Sequence, residues 1–583
     1  MMKAERLSAV FLCVLCLAET SVARQTASAV PRAIQQNPQR FQPAWSAAGI
    51  VVAEEQVAAQ VGAEMLRAGG NAVDAAVATG FALAVTLPRA GNLGGGGFMV
   101  LWLQQERKAL AINYREMAPA AASRTMFLDA QGEVDKTLAT KHYLSAGVPG
   151  TVAGLVLAQQ QYGKLSLAQV MKPAIRLATE GIVVTRALSQ SLSSSRDHLQ
   201  KDASSMRKFF AADGGALLPG QRWRQPALAS SLTLISEQGA SAFYEGKIAR
   251  QIVAAMAEHG GLVTLQDLKN YRAKITATVE GRYRGYRVFS MPPPSSGGIT
   301  LITMLNILEH YDLAKIGNNN AEYFHLLTET MNLAYNDRNY YLGDADFVDV
   351  PQRRLTSKSY GKQLAKRINR QQHTPAKEIS HLKRNDKESN DTTHFSVIDK
   401  EGNMVANTYT LNWSYGSGFT VPGAGFLLNN EMDDFAAKPG SANSYGLVQG
   451  EANAVAAGKR PLSSMTPTLL LDPRGRPFLV TGSPGGSRII STTLQVILNR
   501  VDHGLNLAES VSLPRVHSQL WPEVLSYEQG VSSDTLRQLE AKGHRLQLFN
   551  AMGSANSAEF LPEQGGSLGA ADPRRGDAMA VPQ

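Results

Sequence analysis

Cysteine is nearly missing from this chain: Cys13 and Cys16 are the only two in 583 residues. Both fall in a leader-like start, so the rest of the chain has no disulfide, no thiolate nucleophile and no cysteine-ligated metal. Charged residues amount to 18%, below the ~25% usual in soluble domains. Long apolar runs are also lacking; Leu7 to Ala18 is the main one, too short for the ~20 residues a membrane-spanning helix needs. None of the 11 histidines forms HExxH, and SPGGS around Gly485 is not the GxSxG of a nucleophile elbow. Asn92 to Gly97 (NLGGGG) lacks both the GxGxxG spacing and the lysine of a phosphate cradle. The net charge is +9, and its densest basic run lies between Arg353 and Arg370, where Lys362, Lys366 and Arg370 stand four apart. That spacing predicts a solvated helix face, and without interleaved aromatics no nucleic-acid partner is expected. Nor is any metal or cofactor.

What is present begins with a leader. Met1 to Ala23 has basic Lys3 and Arg6, a short apolar run and a small-residue site at Ser21-Val22-Ala23. It predicts an exported protein, periplasmic or extracellular, with no membrane anchor. A hydrophobic content of 44% suits a globular protein with a sizeable core. Two Ala-rich helices are expected over Val57 to Ala68 and Asn71 to Val85, separated by Gly69-Gly70, and Asp74 in the second reads as structural.

The most informative stretch is Asp391-Thr392-Thr393-His394. Residues 371 to 391 are polar and charged without apolar periodicity, which predicts an exposed linker. Order resumes with Thr393 to Ile398, a five-residue loop Asp399 to Asn403, and an extended Met404 to Asn412, a hairpin pattern. Pairing Ile398 with Met404 sets Thr410 opposite Thr392, with Asn412 on the same face. A threonine at a strand start is ordinary on its own. Cleavage before Thr392 would change that, because a free α-amine titrating near ~8 is a base able to activate the hydroxyl beside it.

The motifs around this hairpin give it a setting. TTHFSVIDKEGNMVANTYTLN, LLNNEMDDF, YGLVQGEANAV, KRPLSSMTPT and VTGSPGGSRI occur in that order. The amino-terminal half adds NAVDAAVA, GNLGGGGFM, NYREMAPAAA, AGVPGTVAGL and MPPPSSGGI. From about Val51 to Asp577 the chain resembles the γ-glutamyltranspeptidases. That resemblance implies an α/β N-terminal-nucleophile hydrolase fold, a four-layer αββα sandwich. It also implies self-cleavage between Asp391 and Thr392, into a large subunit of residues 24 to 391 and a small one of residues 392 to 583 that stay associated as a heterodimer.

Site roles follow from the resemblance and from chemistry. Thr392 is the expected nucleophile and Thr410 its orienting partner. Arg115 in NYREMAP would clamp the α-carboxylate of a γ-glutamyl donor through two parallel hydrogen bonds, aided by the Ser463 and Ser464 hydroxyls. Asn412, Glu431 and Asp434 would hold the α-ammonium; some relatives carry glutamine where Glu431 stands. Gly485 and Gly486, between a strand and a helical run from Ser487, would supply oxyanion amides. Tyr445 lies in a Gly-, Ser- and Asn-rich segment expected to act as a lid over glutathione-sized donors. The expected partners are glutathione and other γ-glutamyl compounds, with water, amino acids or peptides as acceptors. Two alternatives stand beside this reading: a glutaryl or cephalosporin acylase on the same scaffold, and a non-catalytic exported binding protein that remains one chain.

Overall fold

The computed structural model describes residues 41–382, 392–443 and 446–583. The leader, Asp391 and Tyr445 lie outside the described residues. The chain divides into two units, Met1–Gln42 and Pro43–Gln583, and every element below belongs to the second.

Two seven-stranded sheets, each antiparallel throughout, form its centre. The first runs Met579–Pro582, Ile50–Ala53, Thr393–Ile398, Met404–Thr410, Gly96–Leu103, Lys108–Tyr114, Lys274–Thr276. The second runs Ala44–Ser46, Gly566–Ala570, Ser557–Leu561, Pro477–Thr481, Thr468–Leu471, Tyr286–Ser290, Val279–Tyr283. Val52, Phe98, Val100 and Trp102 of one meet Phe289, Leu469, Val480 and Ala558 of the other in a buried layer. Alternate residues point the opposite way, as strand geometry requires: Val51, Met99, Leu101 and Phe395 face the helices Gln56–Arg67, Ala72–Thr86 and Thr151–Tyr162. Behind the second sheet, Val288, Leu470 and Leu479 meet helices Gly297–Leu308, Ala321–Tyr341 and Arg488–Val501. The expected αββα sandwich is what the chain builds.

The hairpin register is the one the loop length predicts. Ile398 pairs with Met404 and Thr393 with Tyr409. Thr393–Ile398 is a central strand with Ile50–Ala53 on its other edge, so its six residues are all buried. The second strand is shorter than expected, ending at Thr410 rather than Asn412. Asn412 has φ +76°, a left-handed conformation that asparagine tolerates better than most residues and that turns the chain out of the sheet.

The glycine run near Asn92 serves close packing. A Cβ on Gly95 would sit 1.9 Å from the Thr410 carbonyl oxygen, and one on Gly97 2.5 Å from that of Thr408. Only bare backbone lets the strand Gly96–Leu103 start so close to the hairpin. Asn92 ties the junction, donating from Nδ2 to the Thr410 carbonyl at 2.9 Å and accepting from the Gly95 amide at 2.9 Å. Asp74 is structural, as expected: it caps its helix and accepts from the amides of Lys164 and Leu165. The basic run departs from expectation. Its helix covers Lys358–Ala365 only, so Lys362, Lys366 and Arg370 do not share a helix face; Arg370 instead pairs with Glu322.

Candidate active site

Thr392 is buried at the mouth of the sheet, immediately before its first paired residue. Its hydroxyl donates to the Thr410 hydroxyl at 3.4 Å, and Thr410 Oγ1 also accepts the Asn412 amide at 2.8 Å. The register thus places a second hydroxyl against the first and fixes its orientation. Below them His394 is wholly buried, its ring nitrogens 2.8 Å from Thr408 Oγ1 and 3.1 Å from Ser396 Oγ. Burial pushes its pKa down to about 3, so it is a neutral strand residue.

Most of the expected side chains converge. Arg115, Thr392, Thr410, Asn412, Glu431, Asp434, Ser463, Ser464 and Gly486 line one small cavity. Arg115 follows the strand Lys108–Tyr114 and is fully buried, its Nε donating to the Pro461 carbonyl at 3.1 Å. Glu431 and Asp434 project from the 3₁₀ turn Glu431–Asp434, and the guanidinium forms ion pairs with both. The expectation assigned cation and carboxylates to opposite ends of a ligand, but here they bind each other. In a low-dielectric pocket each set of charges needs a counter-charge, and the spacing that suits an ammonium and a carboxylate lets them neutralise one another.

The cluster is more acidic than the sequence suggested. Glu116, also wholly buried, puts Oε2 3.6 Å from Arg115 Nη1, and neither of its oxygens has a hydrogen-bond partner among the described residues. Burial raises its pKa to about 7, opposed by the Arg115 charge. Burial also raises the Glu431 pKa well above the ordinary carboxylate range, again against Arg115. Burial alone would lower the Arg115 pKa, but Glu431, Asp434 and Glu116 reverse this and hold it charged.

Arg338 is a second buried cation on the cavity wall, missed in the sequence because it sits in the last turn of the helix Ala321–Tyr341 with no surrounding motif. It donates from Nη2 to Ser464 Oγ at 3.0 Å and from Nε to Ser296 Oγ at 3.1 Å. Burial brings its pKa down to about 10, leaving it charged at neutral pH. Ser464 is therefore held by an arginine, and the Ser463 hydroxyl accepts the Met465 amide at 3.1 Å. Asn412 donates from Nδ2 to the Asn430 carbonyl at 2.9 Å.

Gly485 and Gly486 lie between the strand Pro477–Thr481 and the helix Arg488–Val501. Their φ values are +131° and +56°, a pair of left-handed positions that needs glycine at least at the first. Among the described residues neither amide N–H has an acceptor. Two unspent donors beside a helix N-terminus, one of them in the cavity wall, are suited to a developing oxyanion. Leu447, two residues beyond Tyr445, closes another side.

The family model described as gamma-glutamyltranspeptidase matches residues 58–581. The chain is 48% identical over 541 residues to the glutathione hydrolase proenzyme of Escherichia coli K12, covering 93% of each. Among solved structures it is similar to a cephalosporin acylase from Bacillus halodurans, with a TM-score of 0.83 at 28% identity and coverage of 95% of this chain and 98% of that one. It is also similar to the γ-glutamyltranspeptidase of Helicobacter pylori, with a TM-score of 0.55 at 42% identity, over 56% of this chain and 93% of that one. With a threonine at the head of a central strand, a paired hydroxyl, a charge cluster and the Gly486 amide around one cavity, this chain belongs to the γ-glutamyltranspeptidase family.

Proposed function

We propose that the protein is a self-processing γ-glutamyltransferase and glutathione hydrolase in which Thr392 is the nucleophile. The observation that carries this is the Thr392 hydroxyl, bonded to Thr410 and lining the same cavity as Arg115, Glu431, Asp434 and Gly486.

Processing starts from an intact chain, where the Thr392 nitrogen is an amide without basicity. Thr392 Oγ1 attacks the Asp391 carbonyl carbon, the carbon–nitrogen bond breaks, and the acyl group moves to oxygen as the nitrogen takes up the proton. Water then hydrolyses the ester, leaving an Asp391 carboxylate and a free Thr392 amine. The two products interleave: in the first sheet Ile50–Ala53 and Gly96–Leu103 flank the hairpin that begins at Thr393. Separating them would expose apolar surface favourable to bury by ~25 cal/mol per Å², which supports a stable heterodimer.

In turnover the new amine accepts the Thr392 hydroxyl proton as the oxygen attacks the γ-carbonyl of glutathione or another γ-glutamyl amide. The amides of Gly485 and Gly486 receive the oxyanion. The leaving amine takes the proton, and the γ-glutamyl ester passes to water, an amino acid or a peptide. The donor's α-carboxylate replaces the carboxylates now on Arg115, with Ser463 and Ser464 beside it, and its α-ammonium takes Glu431, Asp434 and Asn412. Each exchange keeps Arg115 and the two carboxylates it now holds paired. A lid role for Tyr445 with small donors belongs to the same reading, as do export by the leader and a periplasmic location. Among the described residues no helix is long and apolar enough to cross a membrane.

The likeness to a cephalosporin acylase gives the rival reading weight, but a glutaryl group has no ammonium to occupy Glu431 and Asp434. Intact mass and a denaturing gel test the proposal. Two polypeptides with the second starting at Thr392, and glutamate released from glutathione, are expected. A full-length chain that hydrolyses glutathione would overturn the mechanism, and faster turnover of a glutaryl than a γ-glutamyl anilide would favour the acylase.

A further inference from the structure

We propose that His325, Glu329 and His544 form a binding site for a divalent transition ion of the zinc class, separate from the catalytic cavity. His325 and Glu329 stand four apart on the helix Ala321–Tyr341, so their side chains share one face. His544 reaches them from the turn after the helix Ser533–Ala541. The three ligand atoms lie within 4.8 Å of one another, and all three residues are buried.

The surroundings are built as metal sites are. His325 Nε2 lies 2.7 Å from the Asn369 carbonyl oxygen and can only donate to it, so Nδ1 carries the lone pair that faces His544 Nε2 at 2.7 Å. A backbone carbonyl fixing the outer nitrogen of an imidazole is the usual support for a histidine ligand. Glu329 is oriented likewise: His373 Nδ1 approaches Oε1 at 2.6 Å and the Thr374 amide donates to Oε2 at 3.1 Å. Each oxygen keeps a second lone pair for an ion.

Two imidazoles and one carboxylate with an open fourth position is a zinc donor set. Tetrahedral bonds of ~2.0–2.1 Å separate ligand atoms by about 3.3 Å, so the two facing nitrogens need to part by about 0.6 Å. Binding moves the His544 proton from Nε2 to Nδ1 and replaces the His325–His544 hydrogen bond with one bond from each nitrogen to the ion, while the Asn369, His373 and Thr374 contacts remain. Glu329 is the anionic ligand and Glu523 lies behind His373, 3.3 Å from its Nε2, while Lys542 places a positive charge near both histidines.

The site joins distant parts of the chain, since His325 and Glu329 precede Thr392 and His544 follows it. If the processing reading above holds, the ion would bridge the two subunits. That clause rests on the proposed cleavage, whereas the site itself does not.

The test uses the full protein, stripped with a chelator and then given ZnCl₂ or CoCl₂. One equivalent of zinc retained through gel filtration, and visible cobalt absorption of tetrahedral intensity, are expected in both the wild type and the unprocessed Thr392→Ala chain. Failure of cleavage and failure of the metal reading are thus read on separate signals. His325→Gln and His544→Gln are expected to lose the zinc and the cobalt band while glutathione hydrolysis stays within two-fold of wild type. Should these variants not fold, zinc is still expected to raise the melting temperature of the stripped wild type. No zinc retained by the wild type, or the same stoichiometry in folded His544→Gln, would overturn the proposal.

Discussion

The Thr392 hydroxyl donates to the Thr410 hydroxyl at 3.4 Å across the hairpin, while Thr410 Oγ1 accepts the Asn412 amide at 2.8 Å. With the Asn412 amide fixing one side of Thr410 Oγ1, the other faces the nucleophile. Thr410→Val keeps the shape and removes the hydroxyl. A net hydrogen bond is worth about 0.5–1.5 kcal/mol, so processing and kcat are each expected to fall roughly 2- to 12-fold. Thr410→Ser should recover most of both; a time course on a denaturing gel and a glutathione assay measure the two.

Arg115 holds two carboxylates at once, which a lysine cannot reproduce in the same plane. Arg115→Lys is expected to raise KM for γ-glutamyl donors by roughly 10- to 100-fold, from losing about one charged hydrogen bond, with a smaller change in kcat. Arg115→Ala leaves the buried Glu116 and Glu431 and the half-buried Asp434 without their cation and should destabilise the fold by about 3–5 kcal/mol. Steady-state kinetics and urea denaturation separate these outcomes.

Gly485 has φ +131°, a conformation nearly closed to residues with a Cβ. Gly485→Ala therefore either strains or reorients the amides beside it. Loss of one oxyanion donor lowers kcat by about 10²–10³, and that loss is expected here with little change in KM. An unchanged kcat in a processed Gly485→Ala enzyme would remove these amides from the mechanism.

His394 makes stability pH-dependent on the acid side. Its folded pKa is depressed by burial to about 3, against ~6.5 in the unfolded chain. For a depressed base the folded state is fully favoured above the unfolded value, and stability is lost as pH falls from ~6.5 towards 3. By linkage this amounts to about 2 kcal/mol between pH 7 and pH 5. His517, likewise buried and lowered to about 3, adds a similar amount. His544, also lowered to about 3, adds in the same direction, while the buried acids Glu116 and Glu431, raised by burial, gain stability over the same range and oppose it. The His394 share is therefore read as a difference: between pH 7 and pH 5 the single-chain Thr392→Ala protein is expected to lose about 2 kcal/mol more stability in urea than the same protein carrying His394→Gln.

Much of this molecule is written locally. The five-residue loop Asp399 to Asn403 fixes the pairing of Ile398 with Met404 and so brings Thr410 to Thr392, because side chains alternate strictly along paired strands. The motif around Gly485 and Gly486 announces a strand-to-helix junction for a similar reason: the conformation it needs excludes most other residues. The local pattern runs past the structure at Asn412 and at Arg370, where a left-handed turn and an early helix end intervene.

The sequence by itself determined the hairpin, the glycine turns and the chemical kinds of residue at the site, since these depend on backbone sterics and short-range spacing. Only the tertiary structure decided who meets whom. Arg115 closes on Glu431 and Asp434 over more than 300 positions, Arg338 comes to Ser464 from the last turn of a helix 126 positions away, and His544 reaches His325 across 219. Such pairings leave no periodic trace in the chain, because burial in a shared low-dielectric interior selects them rather than any neighbouring residue.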